Sequence, residues 1–269
     1  MTRDNPALAN AVSAAIAAGD AVRGTTSPNP PVGCAIVTAS GEVIATGGTS
    51  PAGGPHAEVN ALREAGPRTK GATAVVTLEP CNHTGRTGPC TQALVDAGIA
   101  RVVYLTADPF EPASGGADWL RTHGLDVALL HTRVEALQPW LRSVRNNRPS
   151  VTLKFASTLD GFTAAADKTS KWITCDEARA AVHADRTKRD AIVIGTGTAL
   201  ADNPSLTARH SDGALYEHQP RRVVVGKRAV PSGNLTELGF EQYDTPQAAL
   251  TALWDSGCLL YTSPSPRDA

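Results

Sequence analysis

The chain has 269 residues, 41% of them hydrophobic and 19% charged, and a formal net charge of −1. This is the composition of a folded globular protein of one or two domains with ample material for a core. The balanced charge excludes a general nucleic-acid or membrane-surface binder. Met1-Thr2-Arg3-Asp4-Asn5-Pro6 places acid and proline before any apolar run, so no secretory signal is expected there, and no apolar stretch reaches the length of a membrane span. Five cysteines fit a reducing compartment, which makes cytoplasm the expected location.

In chain order, Ala7 to Ala18 has apolar residues at helical spacing and predicts a helix ending near Gly19. Ser27-Pro28-Asn29-Pro30-Pro31 excludes helix and central strand and leads into a buried strand over Val32 to Val37. Gly41 turns the chain, and Val43 to Thr46 returns as its hairpin partner. A helix is expected over His56 to Ala65, a strand over Ala72 to Leu78 and a helix over Thr91 to Ala97. Strands follow at Arg101 to Thr106 and Val127 to Leu130, with a helix from about Ser114 to His123 between them. This alternation predicts a three-layer α/β/α domain over residues 1–146. Val134 to Arg145 reads as a helical connector and Asn146-Asn147-Arg148-Pro149 as a boundary.

A second α/β unit is expected over residues 147–257. It has strands at Val151 to Phe155, Ala191 to Ile194 and Val223 to Val225, a turn at Asp160-Gly161, and helices over Asp176 to Lys188 and Pro246 to Ser256. Gly195-Thr196-Gly197-Thr198 would let a backbone approach a phosphate. No internal repeat is visible.

The chemistry concentrates between Pro55 and Cys90. Pro55-His56-Ala57-Glu58, Thr77-Leu78-Glu79-Pro80-Cys81 and, after eight residues, Cys90 supply one imidazole, two thiols and a carboxylate beside the imidazole. Three ligands leave a position for water, which marks a catalytic zinc site, whereas structural zinc takes four protein ligands. Zinc lowers the pKa of water from about 15.7 to about 7. His56, Cys81 and Cys90 are the expected ligands. Glu58 is the expected general acid and base, in the pattern of zinc nucleobase deaminases.

His56-Ala57-Glu58-Val59, Leu78-Glu79-Pro80-Cys81, Gly85-Arg86-Thr87 and Cys90 resemble the bacterial riboflavin-biosynthesis bifunctional deaminase/reductase. The eight-residue gap between the thiols is that family's mark, since generic cytidine deaminases have two residues there. Lys154-Phe155-Ala156-Ser157-Thr158-Leu159-Asp160-Gly161, Ser170-Lys171-Trp172-Ile173-Thr174 and Ala201-Asp202-Asn203-Pro204-Ser205-Leu206-Thr207 look like its reductase half.

The resemblance implies a cytidine-deaminase-like α/β/α domain followed by an incomplete dihydrofolate-reductase-like α/β domain. It implies zinc-dependent loss of the 2-amino group of 2,5-diamino-6-(5-phosphoribosylamino)pyrimidin-4-one, then NADPH-dependent reduction of the ribosyl ring to a ribityl chain. The partner is a small phosphoribosylated pyrimidine, with no nucleic acid and no membrane, and a homo-oligomer is compatible with the complete protein. Position by position, Asn29, His83 and Arg86 match deaminase substrate contacts. Thr49 stands where many relatives are expected to carry His. Ser170, Arg186, Leu206 and Arg209 match reductase substrate positions, and Ala156, Trp172, Thr198 and Asp202 match nucleotide-binding positions.

Residues 258–269, beginning Cys258-Leu259-Leu260-Tyr261-Thr262-Ser263-Pro264, match neither the family nor a folding pattern and resemble a translated sequencing adaptor. They are expected to be a non-native tail on a shortened reductase half, which would then bind NADPH poorly. Two other readings remain open from the residues alone. One is a deaminase of free cytosine, cytidine or a tRNA base; the other is a module in which zinc only holds the fold.

Overall fold

The structure is a computed structural model that describes residues 6–83, 88–110, 113–166 and 173–264. The chain divides into two compact units, Met1–Arg145 and Asn146–Ala269.

In the first unit, α1 (Pro6–Ala21) precedes the antiparallel pair β1 (Gly33–Val37) and β2 (Val43–Gly48). Then come α2 (Ala57–Ala65), β3 (Thr73–Val76), α3 (Cys90–Asp96), β4 (Arg101–Tyr104), α4 (Gly116–Thr122), β5 (Asp126–Leu129) and α5 (Gln138–Asn146). The sheet runs β2-β1-β3-β4-β5, with β3, β4 and β5 parallel and β1 antiparallel to β3. β1 is buried at all five positions, as a continuous apolar run on a central strand should be.

Two adjacent glycines of β2 show the layering. A Cβ on Gly47 would lie 2.5 Å from the Ala57 carbonyl of α2, and one on Gly48 would lie 2.8 Å from the Ala18 carbonyl of α1. Successive strand positions face opposite ways, so the two helices cover opposite faces of the sheet. Small residues let α1 lie close: Ala11 and Ala15 pack on Ala35, Val37, Val75 and Val103. The helix ends near Gly19 as expected, running to Ala21, and Gly19 lies inside its last turn for close packing: a Cβ would sit 2.9 Å from the Pro31 carbonyl.

The second unit begins with β6 (Ser150–Lys154), followed by α6 (Asp176–Arg186), β7 (Ala191–Gly195), α7 (Thr196–Asp202), β8 (Arg221–Val225), α8 (Asn234–Leu238), β9 (Glu241–Tyr243), α9 (Pro246–Asp255) and β10 (Leu260–Pro264). Its parallel sheet has the order β6-β10-β7-β8-β9. α7, α8 and β9 were not expected from the sequence. The short β9 is held by a paired bridge, with Arg221 Nε and Nη2 donating to Glu241 Oε1 and Oε2 at 2.8 and 2.7 Å.

The expectation that residues from Cys258 onward lie outside the fold is corrected for Cys258 to Pro264. Cys258, Leu259 and Leu260 are buried, and β10 fills the place between β6 and β7. The reason is backbone anchoring. Asp190 Oδ2 accepts from the Leu259 and Leu260 amides at 2.7 and 2.8 Å, and the Asp190 amide donates to the Leu260 carbonyl at 2.7 Å. β6 is the outer strand, and Val151, Leu153 and Phe155 on one of its faces are 48%, 69% and 60% exposed.

Candidate active site

His56 is the residue before the first turn of α2, with extended backbone (φ −75°, ψ 167°). This conformation turns its ring off the helix start. Cys90 opens α3 after Pro89, and Cys81 lies in the loop leaving β3. These elements bring three donor atoms together: His56 Nδ1 lies 3.2 Å from Cys90 Sγ and 3.5 Å from Cys81 Sγ. The Cys90 amide points at Cys81 Sγ at 3.5 Å. Zinc–sulfur and zinc–nitrogen bonds of about 2.3 and 2.05 Å at tetrahedral angles place N and S about 3.6 Å apart, so the donor set fits zinc. His56, Cys81 and Cys90 form the one such group among the described residues.

Glu58, in the first turn of α2, is 3% exposed. Burial first, and then the neighbouring Cys81 thiolate, push its carboxyl up to about 7. Hydrogen bonds from Cys90 and His56 hold the Cys81 thiol below its ordinary range, while sharing a proton with Cys81 and burial raise Cys90. The cluster therefore favours a thiolate, the form that binds metal.

The other expected deaminase residues divide. Asn29 lies in the loop entering β1, where its main chain closes a turn with Thr26 through bonds of 2.9 Å in both directions. That loop meets the carboxyl end of β3, since the Gly33 amide donates to Thr77 Oγ1 at 3.0 Å. Half-buried His83 follows Cys81 by two residues, and its Nδ1 is buried with no protein partner among the described residues. Arg86 lies outside the described residues. Thr49, at the position expected for His, is 3% exposed, and its Oγ1 accepts from the Val32 amide at 3.2 Å. It fastens β2 to the Pro-rich loop.

In the second unit, Arg186, Leu206 and Arg209 come together. Arg186, 5% exposed, donates from Nη1 to the Thr207 carbonyl at 2.8 Å. Arg209 Nε donates to His183 Nε2 at 3.4 Å, and His183 Nδ1 lies 3.1 Å from the same Thr207 carbonyl. Leu206 is buried at φ 49°, a left-handed conformation that costs a leucine about 1–3 kcal/mol. Thr207 Oγ1 is buried without a protein partner among the described residues. A guanidinium pair beside an unmatched hydroxyl is suited to an anion.

His183 was missed in the sequence. The signal was its place three residues before Arg186, on the same face of α6. Thr198 and Asp202 lie on α7 and Ala156 just beyond β6, while Ser170 and Trp172 lie outside the described residues. Gly195-Thr196-Gly197 ends β7 and starts α7. A Cβ on Gly195 would meet nothing closer than 4.0 Å, and one on Gly197 only Arg228 Nη2 at 3.4 Å. Protein packing alone does not demand glycine there, which leaves a cradle that a ligand's backbone contacts can use.

Comparison with known proteins assigns these parts. Residues 7–106 match the cytidine and deoxycytidylate deaminase zinc-binding region and residues 149–238 the RibD C-terminal domain. The riboflavin biosynthesis protein RibD of Corynebacterium ammoniagenes is 58% identical over 260 residues, covering 94% of this chain and 77% of that protein. RibD of Escherichia coli is 46% identical over 216 residues, covering 76% of this chain and 59% of its own length.

Among solved structures, a diaminohydroxyphosphoribosylaminopyrimidine deaminase/5-amino-6-(5-phosphoribosylamino)uracil reductase from Thermotoga maritima matches with a TM-score of 0.85 at 32% identity, covering 95% of this chain and 80% of that one. RibD of Acinetobacter baumannii matches with a TM-score of 0.82 at 34% identity, covering 95% and 79%. With a zinc-deaminase half and a reductase half joined in one chain, this protein belongs to the RibD family of bifunctional riboflavin-biosynthesis enzymes.

Proposed function

We propose that the first unit removes the 2-amino group of 2,5-diamino-6-(5-phosphoribosylamino)pyrimidin-4-one as ammonia, with water as the second reactant and the ring carbonyl as the product. The observation that carries this is the buried Glu58 carboxylate, one residue from a three-donor cluster that fits zinc. A zinc ion held by His56, Cys81 and Cys90 supplies the Lewis acidity that lets water ionise near neutral pH. Glu58 takes the proton and returns it to the departing amine. Asn29 offers an amide that both donates to and accepts from a pyrimidine edge. His83, with its open Nδ1, and Arg86 carry the phosphoribosyl end.

In the second unit, Ala156, Trp172, Thr198 and Asp202 are proposed to hold NADPH, whose hydride reduces the ribosyl ring. Ser170, Arg186, Leu206 and Arg209 are proposed to hold the substrate, with the two guanidinium groups on its phosphate. Among the described residues no helix is long and apolar enough to cross a membrane. Thiolate ligands suit a reducing compartment, and we place the enzyme in the cytoplasm.

The deciding experiment is ammonia release by the zinc-loaded chain from the phosphoribosylated diaminopyrimidine, with cytidine as control. Release from the first alone is the expected result; release from cytidine alone would overturn the substrate assignment. NADPH oxidation that depends on the deaminated product tests the second unit in the same vessel.

A further inference from the structure

The sequence Leu78-Glu79-Pro80-Cys81 carries a second carboxylate, two residues before a ligand, that the proposed chemistry does not use. Its geometry argues against proton transfer. Glu79 Oε1 accepts from the Ala117 amide at 3.0 Å and Oε2 from the Asp108 amide at 3.4 Å, while the Glu79 amide donates to the Thr106 carbonyl at 2.9 Å. One side chain thus ties the loop that leaves β3 to both ends of the segment between β4 and α4.

The attachment continues along the same loop. A Cβ on Gly116, the first residue of α4, would lie 1.9 Å from the Pro80 carbonyl, so the two backbones touch. The Asn82 amide donates to the Ala113 carbonyl at 3.3 Å, and Asn82 Oδ1 accepts from Thr91 Oγ1 of α3 at 2.8 Å. Cys81 lies between these fastenings. Its own carbonyl accepts from the Thr91 amide at 3.3 Å.

We infer that Glu79 is a positioning residue of the metal centre: by clamping the Cys81 loop to the Asp108 and Ala117 amides, it sets where the Cys81 sulfur stands relative to His56 and Cys90. The inference rests on the reading of these three residues as zinc ligands. A thiolate displaced by a few tenths of an ångström no longer meets the short zinc–sulfur distance. Groups that orient ligands from outside the coordination sphere are worth about 10- to 100-fold in metal affinity.

The test is zinc affinity by chelator competition on the full chain, together with the thiolate-to-metal absorption of the cobalt-substituted protein. Glu79→Ala is expected to weaken zinc about 10- to 100-fold and to alter the cobalt spectrum. Glu79→Gln keeps an acceptor for the Ala117 amide and is expected within about fivefold of the parent. Ala117→Pro approaches the clamp from its other side. It deletes the donor at a first-turn position where proline is tolerated.

Ala117→Pro is expected to weaken zinc as Glu79→Ala does, and the double variant to be no weaker than either. If Glu79→Ala fails to fold, Ala117→Pro and the Gln rescue decide the matter. Unchanged affinity and cobalt spectrum in Glu79→Ala or Ala117→Pro, or additive losses in the double variant, would overturn the clamp. A parent chain that holds no zinc, or a His56→Ala variant that keeps it, would instead overturn the metal reading.

Discussion

The metal cluster of the first unit and the cationic cluster of the second are both assembled from helix ends and the loops beside them, but to different tolerances. His56, Glu58, Cys81 and Cys90 are largely buried and sit on loops fastened by hydrogen bonds to Glu79, Asn82 and Thr91. In the second unit, His183 and Arg186 meet the Thr207 carbonyl beside Leu206, whose backbone is held at φ 49°, and Arg209 bonds the far nitrogen of His183. Metal ligation fixes distances to within about 0.2 Å, so its scaffold must be stiff and its residue types are restricted to good ligands. The second cluster is drawn from a stretch no longer than the first, but its residue types are common in helices and loops and form no recognisable motif.

The strongest way to break the comparison is to separate chemistry from scaffold in the first unit. Glu58→Gln keeps the size and burial of the side chain but removes its charge. Ammonia release is expected to fall by about 10²- to 10⁴-fold, the worth of a positioned acid and base, with zinc content unchanged by metal analysis. A variant that lost zinc in proportion to activity would make Glu58 part of the scaffold.

The packing beneath that scaffold is open to a second test. A Cβ on Gly33 would stand 1.9 Å from the Ala15 carbonyl and 2.4 Å from the Gly19 amide, so Gly33→Ala requires α1 to move off the sheet. Overpacking of this kind costs about 3 kcal/mol. Hydrogen exchange read peptide by peptide should show protection lost over α1 and β1 and kept over β7 and β8. Loss in both units alike would mean that their stabilities are not separable.

How much of this was legible beforehand follows the same division. That His56, Cys81 and Cys90 would cluster was readable because zinc chemistry needs those residue types at recognisable spacing, and the alternation of helices and strands gave the α/β/α order. The role of Glu79 was not readable, since it depends on amides at Asp108 and Ala117 far along the chain. The structural part of Thr49, whose hydroxyl accepts from the Val32 backbone, was not readable either. β10 was not foreseen because residues 258–269 were read as a non-native tail with no folding pattern. Only the pairing of its backbone with Asp190 and β6 makes it a strand.

The second unit should also respond to pH. Burial, then the charges of Arg186 and Arg209, lower the His183 imidazole to about 4, against a weaker opposing bond to the Thr207 carbonyl. Between about pH 6.5, its ordinary value, and pH 4, the unfolded chain binds a proton there that the folded unit does not. Its contribution to stability is therefore complete above pH 6.5 and lost as pH falls toward 4. Urea titrations across that range should show the midpoint of the second unit falling, and His183→Gln should flatten the slope. An unchanged slope in the variant would remove His183 from the cause.

The smallest effect contrasts two surfaces within the second unit. Leu153 on β6 is 69% exposed, whereas Leu253 on α9 is 0% exposed in a cluster with Ala191, Val193, Val223 and Ala249. The same substitution applied to both reads the difference in one unit and one chemistry. Leu253→Ala removes buried methyl groups and leaves a cavity, at a cost of about 2–5 kcal/mol. Leu153→Ala removes little contact and should fall within about 0.5 kcal/mol of the parent. A cost near 2 kcal/mol at Leu153 in denaturant titrations, growing with protein concentration, would mean that the apolar face of β6 is covered in solution by another copy of the chain. A cost that ignored concentration would mean that the chain covers the face itself.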